Sequence, residues 1–297
     1  MDILEFYKAQ SLTSSPGEYA YLFDSLPDNA PELCKIMQNL FIHLADGDMF
    51  NYKIPVERYK EMDSRYATTL LANIVEKDNR PLYESRELKN RVIGICRDQV
   101  LLICSALRHK SIPARLRVGF ADYFIPNLYL DGIWLEYWDK EKNKWCIVDA
   151  RTTALHINKY DLEIDFDLYD IPPEKMFSAE VAWTLCRQSK IKANRIGSRQ
   201  LRGLWYVRNR LIQSLATLNK KEILTWDVWG AMLDGGTDKV SAARLIFFDE
   251  LSAFLCENAY SIDRLQSYYQ EKKLLQVPQE VMVYNPFYEP VSTLVMM

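Results

Sequence analysis

Histidine is scarce in this chain, with three in 297 residues: His43, His109 and His156. Chemistry that needs an imidazole therefore has few places to find one. Excess base is missing too. Lys plus Arg number 37 against 40 Asp plus Glu, which gives no support to the clustered positive footprint of a nucleic-acid binder. No run of eighteen apolar residues occurs, so no membrane span is expected. The opening segment, MDILEFYKAQSLTSSPGEY, carries acids early and no long apolar core, and does not read as a secretion signal. The six cysteines (34, 96, 104, 146, 186 and 256) contain no C-x-x-C pair, which argues against a disulfide framework and a zinc ribbon. A reduced, cytoplasmic setting is the expectation, with no metal and no cofactor. Repeats, low-complexity tracts and Gly/Ser linkers are also lacking.

What is present is a large apolar share, 48%, with 7 Trp and 18 Tyr; that suits a substantial core or an apolar groove. Helical spacing runs through 18–46 and 56–76, and again through 97–109, where Val100, Leu101, Ile103, Cys104 and Leu107 share one side. The period then changes to two. Leu116, Val118 and Phe120 alternate with Arg115 and Arg117, and 133–138 and 144–149 read as strands joined by the polar loop Asp139–Asn143. Helices are predicted at 174–187, 201–218, 238–257 and 261–272. The pattern fits one α+β domain over 1–297, with a core at about 85–155 and a mainly helical elaboration over 174–297.

Cys96 follows Gly94 and opens the run that ends at Arg108-His109-Lys110. A thiol in a first helical turn sits over unpaired N–H groups at the positive end of the macrodipole, which favours thiolate. The same N–H groups can hold an oxyanion. Free cysteine is also among the most buried residue types, so a packed thiol is the competing account. Cys104, mid-helix on the apolar side, reads as core. If Trp138 and Lys144 flank the hairpin loop, position 132 lies opposite 150 and 133 opposite 149. A base at the start of the first strand then lies near Asp149 at the end of the second, in a nucleophile–base–orienter arrangement.

Gly94-x-Cys96, Leu107-Arg108, Ile112-Pro113-Ala114-Arg115, Gly119, Trp134-x-Glu136 and Trp145-x-x-x-Asp149 together resemble the transglutaminase-like superfamily. The similarity is greatest to a bacterial branch, and pieces of it extend from Ser15-Pro16-Gly17 to Trp226-Asp227-x-Trp229-Gly230. The resemblance implies a papain-like α+β fold, with the Cys96 helix packed on an antiparallel sheet and helical N- and C-terminal elaborations. It also implies a Cys-His-Asp triad, with Cys96 as nucleophile and Asp149 as acid. The base position falls on Gly132, which leaves it vacant.

Substitute bases are His156, seven residues past Asp149, and Asp131. His43 reads as lying in a helical stretch far from the motif. His109 is thirteen residues along the helix, roughly 20 Å away, where a cation meets the dipole. Arg97, Asp98 and Trp134 are expected to line the pocket, with capping the alternative for Asp98. Arg115 and Glu136 are placed for a cross-strand ion pair. The acids of 161–170 lack the spacing of a calcium loop. Two functional classes follow: a thiol acyltransferase or amide hydrolase working through a Cys96 thioester, or a degenerate relative that binds a peptide, small molecule or protein partner. Neither involves nucleic acid or a membrane.

Overall fold

A computed structural model describes residues 1–236, 240–286 and 291–296. The fold is α+β, and the chain divides into two compact units, each assembled from segments distant in sequence. One, here the Cys96 unit, comprises Leu4–Leu116 and Ile133–Pro172; the other, the C-terminal unit, comprises Met1–Ile3, Arg117–Gly132 and Pro173–Met297.

The Cys96 unit begins with α1 (Ile3–Lys8) and reaches α2 (Ala30–Leu40), whose start is set by Asn29. The Asn29 side chain accepts the Glu32 N–H at 3.0 Å, and Pro31 occupies the first turn, where its missing donor costs nothing. The apolar stripe Leu33, Cys34, Met37 and Leu40 is buried and packs on α4 (Cys96–His109). α3 (Ala67–Lys77) covers α4 with Leu70, Leu71 and Ile74. Arg97 through Arg108 are all buried, and each leucine or isoleucine among them gains about 1.5–3 kcal/mol by leaving water.

The helix expected over 18–46 is not continuous. A 3-10 turn spans Gly17–Phe23, α2 ends at Leu40, and Phe41–His43 forms strand β1. β1 pairs in parallel with β2 (Val92–Gly94), in the register Phe41↔Val92, Ile42↔Ile93 and His43↔Gly94. The aromatic and β-branched side chains of Phe41 and Ile42 suit a buried strand, and the apolar period of α2 had run on into them. Residues 56–76 likewise divide into a 3-10 segment, Val56–Asp63, and α3.

The main sheet has the order β5-β4-β3-β6, with β7 paired to β4. Its strands are β3 (Ala114–Ile125), β4 (Leu128–Asp139), β5 (Lys144–Val148), β6 (Met176–Ser178) and β7 (Ile196–Gly197). Trp138 pairs with Trp145 and Asp139 with Lys144, one residue away from the expected register. Asp139 belongs to the strand, and its carboxylate accepts the Glu141 and Lys142 N–H groups at 2.9 Å each. The loop is therefore four residues long, closed by Asn143 at φ 50°. Continuing the ladder by one step sets Trp134, not Ile133, in line with Asp149. Inside the same unit Arg115 is fully buried, pairs with Glu136 at 2.5 Å, and lies against the rings of both Tyr7 and Trp145. The predicted ion pair is thus a structural lock.

In the C-terminal unit, α6 (Ala179–Arg187) packs on α7 (Leu204–Leu218) and α8 (Ala242–Asn258), with α9 (Ile262–Glu271) beside them. The helix predicted from 238 begins at Ala242, and its first two positions lie outside the described residues. Short strands β8 (Asp227–Val228), β9 (Glu280–Val283) and β10 (Ser292–Val295) form a second antiparallel sheet. Among the described residues, no helix is long and apolar enough to cross a membrane.

Candidate active site

Cys96 is the first residue of α4, after an extended Ile95, and is partly exposed. The helix start is fixed from inside: Asp98 accepts the Ile95 N–H at 2.9 Å. Arg97 donates to Ser64 O at 3.0 Å, to Arg65 O and to Asp98. Both side chains are 0% exposed, which corrects their expected place on the pocket wall. Burial outweighs the Arg97 charge at Asp98 and pushes its carboxyl up to about 6. Trp134 is also buried, on β4.

Asp149 closes a tight turn just after β5. Its Oδ1 accepts the N–H groups of Arg151 and Thr152, each at 2.9 Å, and its Oδ2 accepts the Thr152 hydroxyl at 2.7 Å. From that turn the Arg151 guanidinium reaches Asp46, donating at 2.6 Å to Oδ1 and at 3.3 Å to Oδ2. Burial pushes the Asp46 carboxyl up. The His156 hydrogen bond and the His43 and Arg151 charges outweigh it, holding Asp46 well below the usual carboxylate range. Burial disfavours the Arg151 cation, but Asp46, then Cys96, then Asp149 more than offset this. Cys34, on α2, is fully buried; burial and then the Asp149 charge push its thiol up.

His156 comes close to this group but has no nitrogen to spare. Its Nε2 meets Asp46 Oδ2 at 3.0 Å, and its Nδ1 accepts the Thr153 N–H at 3.2 Å and meets the Thr153 hydroxyl at 2.8 Å. An ionised Asp46 assigns the proton to Nε2. His43 is not remote: it pairs with Gly94, two residues before Cys96, and corrects the expectation of a helical position far from the motif. Its Nδ1 accepts the Ala45 N–H at 3.1 Å, which places the neutral ring's proton on Nε2. His109, at the other end of α4, meets Asp24 at 2.9 Å.

The other proposed substitute, Asp131, belongs to the C-terminal unit. There it accepts the Tyr206 hydroxyl at 2.6 Å and Arg210 at 2.8 Å, so its charge is already committed. Gly132 lies in the same unit, inside β4. In the acidic stretch, Asp170 pairs with Lys142 and Lys144. Among the described residues no group of three or more His, Cys, Asp or Glu side chains is arranged to hold a metal ion.

Sequence reasoning did not find Asp46 and Arg151 as parts of the site. Asp149-x-x-Thr152 is the one local signal for the turn that aims Arg151, because an aspartate commonly accepts backbone N–H groups two and three residues on.

Comparison with known proteins agrees with this geometry over one span: residues 58–150 match the model of the transglutaminase-like superfamily. No curated protein and no solved structure matches the chain. The matched span begins after Asp46 and ends before Arg151, and includes both Cys96 and Asp149. The chain carries a transglutaminase-like domain.

Proposed function

We propose that the protein is a cysteine acyltransferase or amide hydrolase that acts on a peptide or small acyl substrate through a Cys96 thioester. The observation that carries this reading is Cys96 at the first position of α4, partly exposed, inside the matched family span. Sγ attacks the acyl carbonyl, an S–C bond forms, and the N–H groups of the first helical turn face the developing oxyanion. Collapse breaks the C–N bond and releases the amine. Water or a second amine then cleaves the thioester and returns the thiol. Asp149 stands beside this chemistry as the acid of the family pattern. A nucleophilic thiol must stay reduced, which supports a cytoplasmic setting.

Incubation with a small activated acyl ester, followed by intact-mass and peptide mapping, tests this. One acyl group on Cys96, absent in Cys96→Ala, is expected. A wild-type protein that acquires none refutes the reading.

A second reading rests on the resemblance, which puts Gly132 at the position of the family histidine. In that case the domain is degenerate and binds a peptide, small molecule or protein partner. Cys96 then alkylates no faster than free cysteine.

A further inference from the structure

The resemblance puts the base position of the proposed acyl transfer on Gly132, and the surroundings of Cys96 offer a different way to activate the thiol. β1 and β2 are parallel, with His43 beside Gly94. The chain leaves both strands at the same end of the ribbon: from β1 it enters Leu44–Phe50, which holds Asp46, and from β2 it reaches Cys96. Asp46 and the nucleophile therefore share one end of the ribbon. Asp46 fixes Arg151 there at 2.6 Å, while the backbone of Arg151 is tied to Asp149 at 2.9 Å. Arg151 is thus held from two directions, at its side chain and at its amide. Cys96 and Asp149 are both among the groups that favour the Arg151 cation.

Resting on the acyl-transfer reading, we propose that Arg151 is the counter-ion of a Cys96 thiolate, so that the nucleophile is preformed instead of generated by a base at position 132. Arginine suits this task because its charge persists across the physiological range and its planar fork offers donors to more than one partner. The Nδ1 atoms of His43 and His156 each accept a backbone N–H group. The thiol proton is lost to solvent before substrate arrives. Thiolate attack then forms the S–C bond, and on collapse the leaving nitrogen keeps the C–N electron pair and takes a proton from water. The groups that face this ion pair are Asp149 after β5, Asp46 and His43 from the β1 side, and His156 on α5 (Ala154–Tyr160). Cys34 on α2 is acted on by the Asp149 charge, while Arg97 and Asp98 at the start of α4 are turned to Ser64, Arg65 and Ile95. Asp46 and Asp149 oppose the thiolate; Arg151 and the helix N-terminus favour it.

The test is the pH dependence of iodoacetamide alkylation at Cys96, read by peptide mass. Wild type is expected to titrate below the roughly 8.5 of free cysteine. Arg151→Met is expected to move that midpoint up by about one unit or more and to slow alkylation at pH 7 about 3–10-fold, since lost thiolate is partly offset by a more nucleophilic sulfur. Arg151→Lys, which keeps the charge, should restore most of the rate. Circular dichroism shows whether each variant is folded, and the wild-type and lysine titrations decide the matter if Arg151→Met is not. A wild-type midpoint at or above 8.5 overturns the ion pair. So does a midpoint that moves with His43→Gln instead of with Arg151. A low, Arg151-dependent midpoint without any acyl adduct sinks acyl transfer and keeps the ion pair. An acyl adduct with a midpoint indifferent to Arg151 does the reverse.

Discussion

Asp46–Arg151 in the Cys96 unit and Asp131–Arg210 in the C-terminal unit are both largely buried aspartate–arginine pairs. Around Asp131 every contact consolidates the pair. Arg210 donates to Asp131 at 2.8 Å and to Gln213, the Tyr206 hydroxyl adds a donor at 2.6 Å, and the Arg210 side chain is 2% exposed. Around Asp46 the arginine is shared: its side chain grips Asp46, its amide serves Asp149, and its charge is the counter-ion we propose for Cys96. The two pairs have the same chemistry, and the neighbour decides whether the cation acts as a lock or as a tool.

The comparison breaks most readily at Arg210. Arg210→Met leaves Asp131 buried with a tyrosine hydroxyl alone, and a loss of about 3–5 kcal/mol is expected, because a charge stripped of its partner inside a protein is costly. Thermal denaturation should show it, while Cys96 alkylation per folded molecule stays unchanged. An alkylation rate that falls with Arg210 would erase the distinction between the two pairs.

A smaller effect is expected at the turn that aims Arg151. Asp149→Ala removes three accepted hydrogen bonds and should cost about 2–4 kcal/mol, with slower alkylation because Arg151 is no longer positioned. Asp149→Asn retains an oxygen for the two N–H groups, so about 1 kcal/mol is expected. Equal melting shifts for the two variants would mean that the turn does not depend on these bonds.

Asp98 gives a finer effect, with a defined sign. Its folded carboxyl is pushed up to about 6, above the roughly 3.9 of an unfolded aspartate. The folded state therefore binds more protons between those values, and stability from this group increases as pH falls from about 6 to 4. Asp46 acts oppositely: its stabilisation is full above the unfolded value and is lost only at more acidic pH. Melting scans from pH 4 to 7 should show a slope that Asp98→Asn removes. A mutant curve parallel to wild type would contradict burial as the dominant influence on Asp98.

The smallest change is expected from Gly132→His. An ion pair leaves no proton for an added imidazole to remove, so alkylation should change by less than about threefold. A larger acceleration with a step near pH 6.5 would show that the arginine is not sufficient.

Much of the Cys96 unit was legible because its signals are periodic. α4 starts at Cys96, one residue before the expected run, β5 appears where alternation placed it, and β4 covers the expected 133–138 but begins at Leu128. β1 was hidden because Phe41 and Ile42 continue the apolar spacing of α2, and only pairing with a segment about fifty residues away makes them a strand. The hairpin register slipped because Asp139 looks like loop chemistry while its backbone still pairs. Asp46 and Arg151 are separated by 105 positions, and an ion pair across that distance leaves no local trace. The transglutaminase resemblance pointed to the thiol and the acid; the cation was visible only once the chain had folded.

Parallel pairing of β1 with β2 also orders events during synthesis. Such a ribbon cannot close through a tight turn, so β1, with Asp46 beyond it, is made well before β2 and Cys96. Arg151 follows 55 residues later, a delay of roughly 3–11 s at about 5–20 residues per second. Until then the nascent thiol is without its proposed counter-ion, Arg151. With a preformed ion pair, reactivity is switched on by completion of the fold, and an unfinished chain carries a dormant thiol.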